Sequence, residues 1–268
     1  MCGTCGCTVT DANAHLLRAA DGQPDTRSVT VLRGLLAAND QEAAHNRAHF
    51  DRAGVLAVNL MSSPGAGKTS LLECTIDALR DELRIAVIEG DLATENDAAR
   101  IRARGVPAVQ ITTGSACHLD AHMIHDALHA LSLAELDLVL IENVGNLVCP
   151  ASFDLGQHRN VTLLSVTEGD DKPAKYPVMF RAADLVLLTK TDLLDVLDDF
   201  SVARAERFIR ELGGRTHVLQ LAARRRLGVS AWFAWLRREL DDHRTRLQRG
   251  ETARPAVQPD GLEFHPIA

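Results

Sequence analysis

The chain has 268 residues, a formal net charge of −7 and a hydrophobic content of 46%. The acidic excess argues against nucleic acid as the main partner, and no apolar run approaches the ~20 residues of a membrane span. The N-terminus lacks the apolar stretch of a secretory signal, so we expect a cytoplasmic protein whose six cysteines are reduced and serve as metal ligands or core residues.

Composition along the chain predicts one large domain with two appendages. We assign residues 1–28 to a Cys-bearing segment and linker, 29–243 to the domain, and 244–268 to a polar tail. The domain is predicted to alternate between helices and short strands rich in Val, Ile and Leu. Helices are predicted over about 30–50, from Lys68, and over about 117–131, and strands at 55–60, 84–88, 106–111, 136–141, 161–166, 185–188 and 216–219. This alternation predicts an α/β fold with a mostly parallel sheet flanked by helices.

The first seven residues form a candidate metal-binding segment. Cys2, Cys5 and Cys7 can converge in a tight loop, which the intervening glycines permit. Three thiolates and the terminal amine supply four ligands. Square-planar N/S ligation suits Ni²⁺, whereas tetrahedral thiolate sites suit Zn²⁺. The alternative is a reduced tail without metal.

A phosphate-binding loop follows the first predicted strand. Residues 62–69 read Ser-Ser-Pro-Gly-Ala-Gly-Lys-Thr. Glycines let the backbone approach an anion at a helix N-terminus, a lysine neutralises the terminal phosphates, and a threonine hydroxyl binds Mg²⁺. Ser62 replaces the usual first glycine. The residues predicted to bind the phosphates are Gly65, Ala66, Gly67, Lys68, Thr69 and Ser70.

Acidic residues follow two further strands. Glu142 ends the strand at 136–141, where an acid can hold the Mg²⁺ shell, and Gly145 can present its N–H to a γ-phosphate. Asp91 and Asp97 follow the strand at 84–88, where they could contact Mg²⁺ or the attacking water. Helix-capping or surface roles for these two aspartates are equally compatible with the sequence.

A Thr-Lys-Thr-Asp segment after the strand at 185–188 predicts guanine recognition. The Asp192 carboxylate can accept two hydrogen bonds from guanine, and adenine offers neither donor. The stem of Lys190 can cover the base. Thr189 replaces the usual Asn, so a solvated turn remains the alternative.

A second predicted metal site combines distant parts of the chain. Cys117 and His118 open a predicted helix, and Cys149 lies in the loop after Glu142. If the two strands are neighbours, the three side chains can meet, although Cys149 could also be a core thiol. His122 lies one turn after His118. His125 and His129 continue the same stripe and are expected to be surface side chains, and Cys74 is expected in the core.

With these residues in hand, the chain resembles the HypB family of hydrogenase nickel-incorporation GTPases over about residues 30–240. The resemblance is carried by four motifs: Asn-Leu-Met-Ser-Ser-Pro-Gly-Ala-Gly-Lys-Thr-Ser at 59–70, Cys-His-Leu-Asp at 117–120, Ile-Glu-Asn-Val-Gly-Asn-Leu-Val-Cys-Pro at 141–150, and Thr-Glu-Gly-Asp-Asp-Lys-Pro-Ala-Lys-Tyr-Pro at 167–177. The N-terminal Cys-x-x-Cys-Gly-Cys is similar to a nickel motif found in part of that family.

The resemblance implies a P-loop GTPase with slow turnover, a GTP-favoured homodimer, and nickel delivery to the hydrogenase large-subunit precursor with a HypA-like chaperone. It implies tight nickel binding at Cys2, Cys5 and Cys7. It implies a weaker nickel or zinc site at Cys117, His118 and Cys149, with His122 as an additional ligand.

Three departures from the family pattern qualify that interpretation. Thr189 replaces Asn, and the late base loop reads Leu-Ala-Ala-Arg at 221–224. The His-rich tract of some relatives is absent, since His15, His45 and His49 are scattered, which argues against bulk nickel storage. Two alternative functions stay open: a related GTPase that serves urease or a zinc enzyme, and a metal-binding dimer that nucleotide switches without meaningful turnover.

Overall fold

A computed structural model describes residues 26–91, 96–114, 116–212 and 216–255. Cys2, Cys5 and Cys7 lie outside these residues, so the N-terminal metal segment stays a prediction. The described strands are β1 (Leu56–Ser62), β2 (Ile85–Asp91), β3 (Ala108–Thr112), β4 (Leu138–Glu142), β5 (Arg159–Ser165), β6 (Leu185–Thr189) and β7 (His217–Gln220). The described helices are α1 (Thr26–Ala53), α2 (Lys68–Leu79), α3 (Asn96–Arg102), α4 (Ala121–Leu128), α5 (Lys172–Lys175), α6 (Pro177–Arg181), α7 (Val202–Glu211) and α8 (Val229–Gln248).

The seven strands of the described residues form one parallel sheet in the order β3-β2-β4-β1-β5-β6-β7. Every residue of β1 is buried because helices cover both faces. Leu56, Val58 and Leu60 pack in one cluster with residues of α2 and α8. Ala57 packs with Phe50 of α1 and residues of α4 on the opposite face. The predicted α/β fold with a parallel sheet is therefore confirmed.

Two boundaries differ from the sequence-based expectation. Helix α4 begins at Ala121 because Asp120 caps it, and the Asp120 side chain accepts a hydrogen bond from Met123 N at 2.8 Å. Cys117 and His118 therefore lie in the loop before the helix and do not open it. At the other end, α8 continues to Gln248 and Ala253 is buried, so the described part of the predicted tail packs onto the domain.

The parallel strands bring their loops to one edge of the sheet. Strands β4, β1, β5 and β6 are successive neighbours, and the loops after them leave at their carboxyl ends. In open parallel sheets this edge forms the ligand-binding crevice. In the described part of the chain, every helix is too short or too polar to serve as a bilayer-spanning segment.

Candidate nucleotide and metal site

A cleft of about 800 Å³ lies at the carboxyl edge of the sheet. The loop after β1, the ends of β2 and β4, and the loops after β6 and β7 line it. The predicted nucleotide-site residues all reach this cleft: Gly65, Ala66, Gly67, Lys68, Thr69, Ser70, Asp91, Asp97, Glu142, Gly145, Lys190 and Asp192. The structure therefore assembles one cavity from five separate parts of the chain.

The phosphate loop has a backbone that only glycine adopts readily. Gly65 and Gly67 have φ values of 76° and 103°. Gly67 is the N-cap of α2 and makes no side-chain capping hydrogen bond. The first N–H groups of α2 are therefore available to an anion at the positive end of the helix dipole.

Lys68 is the buried cation of the cleft. It is 7% exposed, and its Nζ donates a hydrogen bond to Ser62 Oγ at 3.0 Å. Burial lowers the pKa of Lys68, and the carboxylates of Glu142 and Asp97 oppose that shift. Ser62, which replaces the usual glycine, thus supplies a direct contact to the lysine.

Thr69 connects the phosphate loop with the acids. Its Oγ1 lies 2.9 Å from Glu142 Oε1 and 3.1 Å from Asp97 Oδ2, so its one hydroxyl hydrogen can be donated to either. Asp97 Oδ1 also accepts from Arg100 at 2.7 Å. Of the two aspartates considered from sequence, Asp97 contacts the threonine, and Asp91 lines the cleft wall.

Glu89 is a buried acid of the cleft that the sequence did not predict. It is 2% exposed and aligns with Glu142 across the β2–β4 pair. Burial, reinforced by the neighbouring carboxylate, raises the pKa of Glu89 to about 8. Burial also raises the pKa of Glu142 to about 7, although Lys68 opposes this shift. Glu142 was identified because it ends an apolar strand, whereas Glu89 lies within β2, where a single acid carries no motif.

The acids of the cleft fit a hard divalent cation. Within the described residues, Glu89 Oε2 and Glu142 Oε2 are buried without a hydrogen-bond partner. With the Thr69 hydroxyl they form an all-oxygen donor set, which Mg²⁺ prefers. A cation here would offset the unfavourable burial of two adjacent carboxylates.

The threonine that replaces the usual asparagine, Thr189, still contacts the phosphate loop on the side of the cleft predicted to hold the base. Thr189 Oγ1 donates a hydrogen bond to Ala66 O at 2.7 Å, which ties the end of β6 to the phosphate loop. Lys190 adopts the left-handed region with φ 58°. The Asp192 carboxylate borders the cleft, where Arg225 Nε lies 3.8 Å from its Oδ2. Arg225 directly follows the altered late loop at 221–224 and was not predicted.

Cys117, His118 and Cys149 meet beside the cleft. The Cys117 Sγ lies 3.0 Å from Cys149 Sγ and 3.7 Å from His118 Nδ1. One ligand atom from each of the three residues lies within 4.8 Å of the others. Burial lowers the pKa of His118, which favours the neutral imidazole that binds metal. Two thiols and an imidazole suit Ni²⁺ or Zn²⁺.

His122 does not join these three ligands. Its side chain is 77% exposed, and its Nε2 lies 3.9 Å from Asp126 Oδ2. It lies in the first turn of α4, whereas Cys117 and His118 precede the helix, so the predicted helical stripe does not bring it to the thiols. Cys74 is buried in the core as expected.

One asparagine connects the thiols with the phosphate loop. Asn146 N donates to Ser62 O at 2.8 Å, and Asn146 Nδ2 donates to Cys117 O at 3.2 Å. A Cβ added to Gly145 would lie 2.8 Å from Pro64 Cα, so this loop packs directly on the phosphate loop. The segment from Glu142 to Cys149 therefore contacts both sites.

Histidines that look scattered in the sequence also come together. His45 and His49 of α1 meet His125 of α4, and their candidate ligand atoms lie within 4.8 Å of one another. Packing of α1 on α4 creates this group, which spacing along the sequence did not reveal.

Comparisons with known proteins identify the family of the chain. The nucleotide-binding domain family CobW/HypB/UreG matches residues 56–220. Hydrogenase maturation factor HypB of Azotobacter vinelandii is 52% identical over 228 residues, which cover 85% of this chain and 74% of the relative. HypB of Escherichia coli strain K12 is 50% identical, with 81% of this chain and 74% of the relative covered. The crystal structure of HypB from Helicobacter pylori in complex with nickel has a TM-score of 0.74 at 37% identity, and the match covers 86% of this chain and 100% of that one. The chain therefore belongs to the HypB family of hydrogenase maturation factors.

Proposed function

We propose that this chain is a GTPase that binds nickel and releases it to the large-subunit precursor of a nickel–iron hydrogenase. The observation that carries the proposal is Asn146, which bonds to Ser62 O at the phosphate loop and to Cys117 O at the thiol group. A change at the phosphates can therefore move a metal ligand through two hydrogen bonds. Membership of the HypB family supports this assignment.

The residues of the cleft have distinct roles in nucleotide binding and hydrolysis. The N–H groups from Gly65 to Thr69 hold the phosphates, and Lys68 neutralises charge that develops on them. Mg²⁺, held by Thr69 with Glu142 and its neighbouring acids, would neutralise further phosphate charge. Asp192 selects guanine by accepting from its two donors, and Lys190 covers the base. Gly145 presents its N–H toward the terminal phosphate.

Nickel is the cargo in this proposal. Cys117, His118 and Cys149 provide a three-ligand site with an open position, which permits transfer better than a closed four-ligand site. Cys2, Cys5 and Cys7 provide a tighter class of site at the N-terminus. A GTP-favoured homodimer and a HypA-like nickel chaperone complete the proposed delivery cycle.

The test measures coupling between the two sites. The full chain with Cys2, Cys5 and Cys7 replaced by Ser is titrated with Ni²⁺ while loaded with GDP or with a non-hydrolysable GTP analogue. We expect affinities that differ by about 5–150-fold between the two states, the range of ordinary allosteric coupling. Asn146→Ala should reduce that difference while the thiols stay in place.

Three outcomes would each contradict part of the proposal. Identical Ni²⁺ isotherms in both nucleotide states would mean that the sites are neighbours without communication. Absence of multiple-turnover phosphate release from GTP would favour the alternative of a nucleotide-switched metal-binding dimer. Release from ATP at the same rate would refute the assigned role of Asp192 in base selection.

A further inference from the structure

Three histidines from two packed helices meet on the outside of the domain, apart from the thiol ligands. His45 and His49 lie one turn apart on α1, and His125 extends from α4. Their ring centroids lie 4.6 to 5.8 Å from one another. The side chains of His45 and His125 are 52% and 21% exposed, so the group is open to ions from solvent.

The spacing of the ring nitrogens suits a shared metal ion. His45 Nε2 lies 3.1 Å from His49 Nε2. Two nitrogens bound to one zinc ion at about 2.0–2.1 Å in tetrahedral geometry are about 3.3 Å apart. An increase of a few tenths of an ångström in this separation would convert the contact between the two histidines into joint ligation.

The Glu42 carboxylate lies next to the rings of His125 and His45. Glu42 Oε1 is 3.2 Å from His125 Nδ1 and 3.6 Å from His45 Nδ1. A carboxylate that accepts from Nδ1–H fixes the tautomer in which Nε2 carries the free lone pair. His125 Nδ1 also lies 3.2 Å from Asn46 Oδ1, so two oxygens favour the hydrogen of this ring on Nδ1 and leave Nε2 for the metal. The 3.6 Å separation from His45 Nδ1 is too long for a hydrogen bond, and there Glu42 contributes only negative charge next to a bound cation.

One contact opposes metal binding and must be released. Arg52 donates to His49 Nδ1 at 3.0 Å, which requires the hydrogen of that ring to reside on Nε2. Burial and the Arg52 charge lower the pKa of His49, so the ring stays neutral. Arg52 is long and exposed, and it can move away when His49 changes tautomer. A metal ion competes here with one surface hydrogen bond.

We propose that His45, His49 and His125 form a nitrogen-ligand site for a divalent transition-metal ion, with Glu42 as the orienting carboxylate. The chemistry accommodates Zn²⁺ and Ni²⁺. This site is additional to the thiol-containing ligands and requires no nucleotide. The domain would then have a solvent-accessible metal site whose ligands are imidazoles and not thiolates.

The experiment uses the full chain and Zn²⁺ as the probe. The double variant His45→Ala/His49→Ala should bind one Zn²⁺ per chain fewer than wild type by equilibrium dialysis. The matched control His217→Ala, which removes an exposed histidine on β7, should match wild type. Alanine favours helix at both α1 positions, so the double variant should keep the fold. Nitrogen-15 NMR of the wild-type rings should shift the His45, His49 and His125 nitrogens on addition of Zn²⁺.

Glu42→Gln provides a second measurement that preserves all three rings. We expect its Zn²⁺ affinity at this site to fall several-fold while the stoichiometry stays that of wild type. Equal stoichiometry in wild type and the double variant would overturn the site. Unshifted ring nitrogens in wild type would overturn it as well, and would leave the 3.1 Å contact as a hydrogen bond between two neutral imidazoles.

Discussion

The nucleotide cleft and the group of Cys117, His118 and Cys149 lie side by side and differ in chemistry. The cleft holds a lysine and buried carboxylates, which suit phosphates and a hard cation. The neighbouring group holds two thiols and an imidazole, which suit a softer ion. Because one segment from Glu142 to Cys149 contributes to both, ligand chemistry and not distance would keep the proposed ions apart. The two groups are also connected directly through the hydrogen bonds of Asn146, so a shift of the phosphate loop has a short path to Cys117.

Lys68→Ala should give the largest effect, a loss of GTP hydrolysis, and should leave metal binding at the thiols unchanged. The variant removes the buried cation of the phosphate loop and leaves every thiol in place. We expect GTP hydrolysis to fall on the order of 10²-fold or more, the loss seen when one strong transition-state donor is removed. Multiple-turnover phosphate release measures this loss, and Ni²⁺ titration of the same variant is the control. Unchanged hydrolysis would contradict the assignment of the phosphate loop.

Asp192→Asn should give the second-largest effect, and it should change only the recognition of the base. The carboxylate can accept two hydrogen bonds from guanine, each worth about 1.5–3 kcal/mol because the acceptor is charged. GTP binding should therefore weaken, and preference should shift toward xanthosine nucleotides, whose 2-oxo group needs a donor. Competition binding of GTP, XTP and ATP measures the shift. An unchanged order of affinities would mean that Arg225, 3.8 Å away, already occupies the carboxylate.

Gly145→Ala should disturb both regions through their shared loop. The added Cβ would lie 2.8 Å from Pro64 Cα, too close for both backbones to stay in place. Overpacking of this kind costs about 1–3 kcal/mol. We expect weaker nucleotide binding together with altered Ni²⁺ affinity at Cys149. A loss confined to nucleotide binding would show that the loop transmits nothing to the thiols.

His243→Leu should give the smallest effect, and it concerns neither ligand region. Burial holds the pKa of His158 at about 4 and that of His243 at about 3, below the value of 6.5 expected in the unfolded chain. At these two residues the unfolded state therefore binds more protons near and below pH 6.5, and their contribution to stability falls as the pH decreases toward the folded-state values. Each histidine contributes about 2 kcal/mol of this loss between pH 7.5 and 5.

The measurement for this prediction is denaturant unfolding at pH 7.5 and at pH 5. Glu89 and Glu142 act in the opposite direction, because their raised pKa values stabilise the folded state on acidification, and they are present in both proteins. The free energy of unfolding of His243→Leu, compared with that of wild type, should therefore be more favourable at pH 5 than at pH 7.5 by about 2 kcal/mol. His217→Leu, on the exposed part of β7, should show the pH dependence of wild type. The same pH dependence in His243→Leu and wild type would contradict the role of His243.

Local patterns in the sequence predicted most of the fold and most of the cleft. Each of the seven predicted strands corresponds to a strand of the sheet, shifted by a few residues at its ends. The phosphate loop, Glu142 and Asp192 were identified because each follows an apolar strand, and parallel strands bring their carboxyl ends to one edge. Glu89 was missed because one acid inside a strand carries no motif. Arg225 was missed because its contact with Asp192 joins two loops with no shared pattern.

The sequence by itself determined which chemistry is present, since motifs of adjacent residues encode the phosphate loop and the candidate thiol ligands. The tertiary structure decided which distant residues share a site. Only the sheet order sets Glu89 beside Glu142, and only the packing of α1 on α4 joins His45 and His49 to His125. The physical reason is that neighbours along the chain are held together by covalent bonds. Residues 80 positions apart meet only when the free energy of burying both faces of the sheet brings their elements into contact.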